Sequence, residues 1–268
     1  MIPIRDSRPS YVFPWVTLAI ISLNVLVFLY QLALGWGIIT HHAERISLQP
    51  WQENGVRFGD YQERSMSRIT ETTSLSPSEA FIFKYGVVPG EVSRFQDFPP
   101  QIPIPIYLTI LTSTFLHGGF LHLGGNMLFL WIFGDNVEEA LGHLKFLVFY
   151  FGSALGAAFL QIIANPTSGT PMIGASGAIA GVLAAYFLLF PSSRILTLVP
   201  IFFFFTFVQI PAVIMLGFWF LFQLLRAPAG TAGGVAVLAH IGGFLTGALL
   251  TPYLKRREVP LKLRRWFQ

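Results

Sequence analysis

The sequence has no cysteine, which excludes disulfides, thiolate nucleophiles and cysteine-ligated metals, and leaves the redox compartment open. It is also poor in charge. Charged residues make up 11% of the 268, against about a quarter in a soluble domain. Hydrophobic residues reach 53% and the mean hydropathy is +0.62, so the composition is that of an integral membrane protein. There is no His-Glu-x-x-His pattern and no internal repeat. The net charge of +4 and pI near 9.5 sit beside hydrophobic segments, which reads as membrane topology and not as nucleic-acid recognition.

Six hydrophobic segments are present: residues 16–35, 120–133, 146–163, 175–190, 196–225 and 235–254. The first is long enough to cross roughly 30 Å of hydrocarbon and has no small-residue cleavage site after it, so it reads as a retained span and not a signal peptide. The fifth, rich in phenylalanine and interrupted by Pro200 and Pro211, predicts a long lipid-facing helix with a tilt or kink. The expected architecture is therefore all-α: residues 1–15 as a cytoplasmic segment, a six-helix membrane domain over 16–254, and a basic cytoplasmic tail over 255–268.

Residues 36–106 form a long first extracytoplasmic loop, with six basic and eight acidic residues, expected to fold on the membrane surface. Within it Ser76, Pro77 and Glu79 have the spacing of a capping box, predicting a short helix that stops at Gly86. Arg5, Arg8, Lys145, Arg194 and the tail cations fall on one side of the membrane and Arg226 on the other, which places both termini in the cytoplasm.

The fourth segment is the informative one. At about 16 residues it spans only about 24 Å, and it begins with Gly174-Ala175-Ser176-Gly177, with Gly181 one turn later. The glycines form a face for close helix approach. A short span puts Ser176 below the membrane surface, reached by an irregular loop over 165–173 that must be buried in protein or line a water-filled cavity. A lone serine in a membrane helix commonly bonds back to its own backbone. Here, however, His122 and Asn126 on the second span and His240 on the sixth fall at similar depth, near the outer ends of their helices. Polar groups at that depth usually face a bundle interior and mark function.

Ser176 and His240 have the chemistry of a nucleophile and its general base. Neither span carries an acidic residue, so a dyad is expected. His122 and Asn126, spaced i, i+4 on one face, suit either oxyanion stabilisation with the Ser176 N–H or interhelical hydrogen bonding. His117 belongs to the lead-in to that helix. The three histidines lack a carboxylate to complete a hydrolytic zinc centre, and no metal is expected.

These residues resemble the rhomboid family of intramembrane serine proteases. The likeness rests on Phe115-Leu116-His117-Gly118-Gly119 leading to His122 and Asn126, on Gly134-Asp135-Asn136-Val137-Glu138, on Gly174-Ala175-Ser176-Gly177, and on His240-Ile241-Gly242-Gly243 with Gly247. It implies a six-helix bundle with a short central fourth helix. It also implies Ser176 as nucleophile, His240 as base, His122, Asn126 and Gly174 lining the oxyanion and substrate site, and His117, Gly177 and Gly243 in support.

The fifth span and the loop over 226–234 would form a gate and cap. Substrates would be single-span membrane proteins cut where their helix unwinds, in the bilayer of a bacterial or archaeal plasma membrane, with no cofactor and no nucleic acid. Two features depart from many members: 106–113 lacks a Trp-Arg pair, and Ala180 stands where some carry a tyrosine, so stacking on the histidine is absent or supplied elsewhere. The competing readings are a non-catalytic member of the same fold that binds membrane helices as a chaperone or sorting factor, and a small transporter. Nothing in the sequence indicates an oligomeric state.

Overall fold

A computed structural model describes residues 2–39, 43–47, 49–56, 72–201, 204–227 and 236–260. In chain order its elements are β1 (Ile2–Asp6), α1 (Trp15–Gly35), β2 (Glu44–Ser47), α2 (Gln49–Glu53), β3 (Thr72–Leu75), α3 (Pro77–Tyr85) and α4 (Pro89–Val92). Then come α5 (Thr109–Thr112), α6 (Phe120–Leu141), α7 (His143–Ala164), α8 (Ser176–Leu189), β4 (Arg194–Ile201), β5 (Phe204–Pro211), α9 (Ala212–Arg226) and α10 (Val237–Leu254). Short 3₁₀ turns flank α5, and α5 with its turns meets α6 at an 84° bend.

Helix α8 is the hub. After Ser176 it carries only alanine, glycine and apolar residues apart from Tyr186, and it is buried almost all round by α6, α7, α9 and α10, as so apolar a helix must be. Its contact with α10 is backbone to backbone. A β-carbon at Gly243 would run into the Gly177 carbonyl, and one at Gly247 into the Gly181 backbone. On its other side a β-carbon at Gly177 would meet the Ala157 Cβ of α7 at 2.6 Å.

Three described helices, α1, α7 and α10, are long and apolar enough to cross a membrane, or four if the bent pair of α5 and α6 is one span. Helices α8 and α9, of 14 and 15 residues, are shorter. Among the described residues the all-α expectation fails in two regions, the long loop, where β2 pairs with β3, and the fifth segment. Residues 196–201 and 204–211, read as half of a long fifth helix, instead lie in two paired strands, β4 against β5, which β1 extends to a three-stranded antiparallel sheet ordered β1-β4-β5. The stretch is rich in β-branched and aromatic residues, which suits strands, and its prolines sit where a missing N–H is tolerated. Among the described residues Leu198 is the last of β4 paired with β1, and Pro200 lies beyond it; Pro211 ends β5 and caps α9.

The N-terminal segment is thus structured. Asp6 of β1 accepts hydrogen bonds from the Tyr186 hydroxyl of α8 and, at 3.1 Å, from Asn136 Nδ2 of α6.

The described part of the long loop folds around its own core of Ile46, Trp51, Val56, Leu75, Ala80, Phe83, Val88 and Phe98, with β2 and β3 paired over it. Helix α3 starts at Pro77 behind the expected capping box, the Ser76 side chain accepting from the Glu79 N–H and the Glu79 carboxylate accepting from the Ser76 N–H, and it stops at Gly86. This unit grips the loop that leads to Ser176. Val87 and Met172 exchange backbone hydrogen bonds at 3.1 and 2.7 Å, the Gly90 N–H donates to the Ser168 carbonyl at 2.8 Å, and Ser93 and Arg94 both donate to the Pro166 carbonyl.

Helix α1 has no side-chain cap of its own, since Pro14 precedes it. Its cap comes from α6. The fully buried Glu138 carboxylate accepts from the Val16 N–H at 2.9 Å, the Thr17 N–H at 2.7 Å and the Thr17 hydroxyl at 2.7 Å, placing negative charge at a helix N-terminus. Glu138→Ala should lower the unfolding free energy by about 3 kcal/mol, because the two buried Thr17 donors and the half-buried Val16 N–H lose their acceptor at once. An unchanged denaturation midpoint would count against this cap.

Glu91 of α4 is buried with one carboxylate oxygen accepting from the Phe98 N–H and the other unpartnered, and burial, with some help from Asp97, pushes its pKa up to about 8. Between its ordinary value of 4.5 and about 8 the folded protein holds a proton that the unfolded chain releases. The stability of the outer unit should therefore fall as pH rises through that window and stay level on either side. Thermal unfolding followed against pH should lose this slope in Glu91→Gln.

Candidate active site

Ser176 is the first residue of α8, and no side chain caps that end, so the N–H groups of the first turn have no intrahelical acceptor. The chain reaches it through Gly174, at φ +116°, whose N–H donates to the Ser113 carbonyl at 2.9 Å. Only glycine serves there. The conformation is left-handed, and a β-carbon would sit 2.7 Å from His122 Nε2 and 3.6 Å from Asn126 Nδ2. His122 and Asn126 of α6 are thereby brought against the residue that precedes Ala175 and Ser176.

Their hydrogen bonds set what they can donate. The Gly118 N–H points at His122 Nδ1 at 3.4 Å, making that nitrogen the acceptor and leaving the proton of a neutral ring on Nε2, toward Gly174. Asn126 donates one of its two N–H bonds to His117 Nε2 at 2.9 Å and keeps the second. His117 lies in the lead-in to α6, as expected. Its backbone is held by Gln31 of α1, which accepts from the His117 N–H at 3.1 Å and donates to its carbonyl at 3.3 Å. The rings of His117 and His122 meet edge to face at 5.0 Å.

His240 of α10 completes the cluster. Its Nε2 lies 2.8 Å from Ser176 Oγ, hydrogen-bonding distance for proton transfer. The glycines of the α8 and α10 crossing explain the closeness, since Gly177 and Gly243 are next to Ser176 and one turn beyond His240 respectively. The three histidines do not form a metal-ligand set. His117 Nε2 is engaged by Asn126, and among the described residues no group of three or more His, Asp or Glu is placed to hold a cation.

Two residues escaped the sequence reading. Gln223 and Trp219, both on α9, face His240: Gln223 Oε1 is 3.1 Å from His240 Nδ1, and the Trp219 ring lies 5.9 Å from the imidazole at 38°. The aromatic partner that Ala180 does not provide thus comes from α9. Their spacing, i and i+4 with a polar residue in an apolar span, was the available signal. It was obscured by treating the whole fifth segment as lipid-facing, whereas in α9 the exposed side carries Ile214, Phe218, Leu221, Phe222, Leu224 and Leu225 and the side with Met215, Leu216 and Gln223 is buried. The expected cap over 226–234 lies, from residue 228, outside the described residues, as does the part of the tail from 261.

A profile of the Rhomboid domain matches residues 106–257, more than half of the chain, and spans every residue of this cluster except Gln31. The chain belongs to the rhomboid family. Among its relatives, the mitochondrial Rhomboid protein 1 of Saccharomyces cerevisiae is 34% identical over 177 residues, 60% of this chain and 47% of that protein. RHOMBOID-like protein 4 of Arabidopsis thaliana is 28% identical over 245 residues, covering 89% of this chain and 52% of that protein. The mitochondrial presenilin-associated rhomboid-like protein of Homo sapiens is 34% identical over 88 residues, 32% of this chain and 23% of that one. This rhomboid chain thus spans about half the length of the first two and under a quarter of the third. It is an integral membrane protein. The bacterial or archaeal plasma membrane expected from the sequence finds no support in relatives with mitochondrial names.

In this rhomboid the crossing of α8 and α10 has no slack. Gly243→Ala should force the helices apart, lower stability by about 1 to 3 kcal/mol, and reduce any Ser176-dependent turnover at least tenfold by lengthening the Ser176–His240 hydrogen bond. Native stability together with native turnover in that variant would contradict the packing argument.

Proposed function

We propose that the protein is an intramembrane serine endopeptidase that cuts transmembrane proteins within or near their membrane-spanning helix. The observation that carries this reading is the 2.8 Å contact between Ser176 Oγ and His240 Nε2 at the end of a short buried helix, beside unspent donors on His122 and Asn126. Membership of the rhomboid family supports it.

In this mechanism Ser176 Oγ attacks the scissile carbonyl carbon while its proton passes to His240 Nε2. The oxyanion is received by the Ser176 N–H, the His122 Nε2–H and the free N–H of Asn126; removing one such donor typically raises the barrier by about 3 kcal/mol. The imidazolium then protonates the leaving amine, and water, activated by the same histidine, hydrolyses the acyl-enzyme. Helical backbone is protected by its own hydrogen bonds, so the substrates are single-span proteins whose helix unwinds locally, recognised from the bilayer and without a cofactor.

Six spans, with α8 and α9 as the two short ones and both termini in the cytoplasm, fit the cations of the short flanks. The long first loop then lies on the opposite side, where its grip on 166–172 steadies the approach to Ser176. A helix-binding chaperone of the same fold has no need of an assembled serine and histidine.

Purified protein in detergent, incubated with a single-span reporter, should release two fragments. Ser176→Ala and His240→Ala should each reduce the rate by at least a thousandfold while leaving the unfolding midpoint within a few degrees. Cleavage that survives Ser176→Ala would sink the proposal.

A further inference from the structure

A histidine serves as base to a serine only in one neutral tautomer, with the proton on Nδ1 and the lone pair of Nε2 facing the hydroxyl. In water the two tautomers interconvert freely. Something must hold His240 in the useful one, and no carboxylate is offered by α8 or α10. The group that faces Nδ1 is the side-chain Oε1 of Gln223, at 3.1 Å, on a residue that is itself buried.

We propose that Gln223 is a positioning residue for His240: its amide oxygen accepts the Nδ1–H, fixing the tautomer and the ring plane so that Nε2 is presented to Ser176. The assignment rests on the protease reading given above for its chemical consequence, although the hydrogen bond itself does not. During attack the Ser176 proton moves to Nε2, and the resulting imidazolium keeps its Nδ1–H on Gln223, whose carbonyl dipole stabilises the new charge. The amide stays neutral throughout and ends the cycle as it began. It also avoids the penalty of burying a carboxylate in an apolar bundle.

The position of this residue matters as much as its chemistry. Gln223 and Trp219 are successive turns of one face of α9, so one helix supplies both the hydrogen bond and the aromatic wall for the base. That helix is held to α10 chiefly by rings, with Phe220 stacked on Phe244 at 4.1 Å and Trp219 6.3 Å from the same ring. The base is therefore oriented when α9 is seated and is released when α9 moves away.

The test uses the full chain with two variants, Gln223→Met, which keeps the bulk and loses the acceptor, and Gln223→Glu, which keeps an acceptor and adds charge. The direct readout is the ¹⁵N spectrum of histidine-labelled protein at neutral pH. In the wild type the His240 Nδ1 should be protonated and Nε2 not; in Gln223→Met the two tautomers should mix. This reading requires no turnover, so it decides the role of Gln223 even if the protein proves not to be a protease. A wild-type ring protonated on Nε2, or a Met variant with the wild-type tautomer, overturns the proposal.

The kinetic readout uses reporter cleavage. Gln223→Met should lower kcat ten- to a hundredfold with KM within twofold, and Gln223→Glu should recover most of that loss. In the Glu variant the acidic limb of kcat/KM should move up by about one pH unit, because the new carboxylate favours the imidazolium. The other charged or titratable groups near His240 are His122 of α6 and Arg226 of α9, and Arg226, competing for the new carboxylate, trims that shift without reversing it. An unmoved acidic limb, or a loss confined to KM, overturns the proposal. If Gln223→Met does not fold, the wild-type tautomer and the acidic limb of Gln223→Glu decide.

Discussion

Where α8 crosses α10, the space that a β-carbon would need at Gly243 is filled by the Gly177 carbonyl, and at Gly247 by the backbone of Gly181. Helices normally stand 8 to 10 Å apart, held off by their side chains. Here the spacers are missing, and residues adjacent to the contact inherit the short distance. Ser176 lies beside Gly177 and His240 lies one turn before Gly243, so a serine and a histidine 64 positions apart in the chain come within a hydrogen bond. Lipid offers apolar helices no hydrophobic incentive to associate, which makes backbone packing of this kind the main adhesive available. The same contact that holds the bundle together aligns its polar centre.

Around that crossing the rest of the molecule restrains the other partners. The outer unit pins 166–172 through backbone hydrogen bonds, which fixes the approach to Gly174 and with it the place of Ser176 against His122 and Asn126. On the opposite end Glu138 joins α6 to α1 by capping a helix that has no cap of its own, and Asp6 joins β1 to α6 and α8. Each of these ties uses a polar group that would be costly if left alone in the interior. Each is therefore satisfied across elements, and each becomes a restraint on their relative position.

The sequence made the helices and their polar residues legible because both signals are local. A run of apolar residues of span length, a glycine every fourth position and a capping box at Ser76 and Glu79 each have a physical meaning within a few residues, and α1, α3, α7, α8 and α10 formed close to where those signals placed them, while α6 runs on past 133 to Leu141. The convergence of Ser176 and His240 was inferable from equal depth. The strands over 196–201 and 204–211 were misread because hydrophobicity alone does not separate a buried helix from apolar strands, and the deciding partner, β1, lies nearly 200 residues away. Gln223 was missed for a related reason: a segment judged lipid-facing as a whole has no inner face on which to look for a polar residue.

Pro211 is at once the last residue of β5 and the cap of α9, so the chain passes from sheet to helix with no slack between them. The sheet side is anchored through β4 and β1, which makes this junction a fulcrum and α9 a lever arm. Twelve residues along the lever, at 1.5 Å each, Gln223 stands about 18 Å from the fulcrum. A swing of about 10° there carries the amide roughly 3 Å, as far as its entire hydrogen bond to His240, while Ala212 beside the fulcrum hardly stirs. Leverage of this kind converts a modest tilt at the first turn of α9 into complete release of the hydrogen bond about three turns along it.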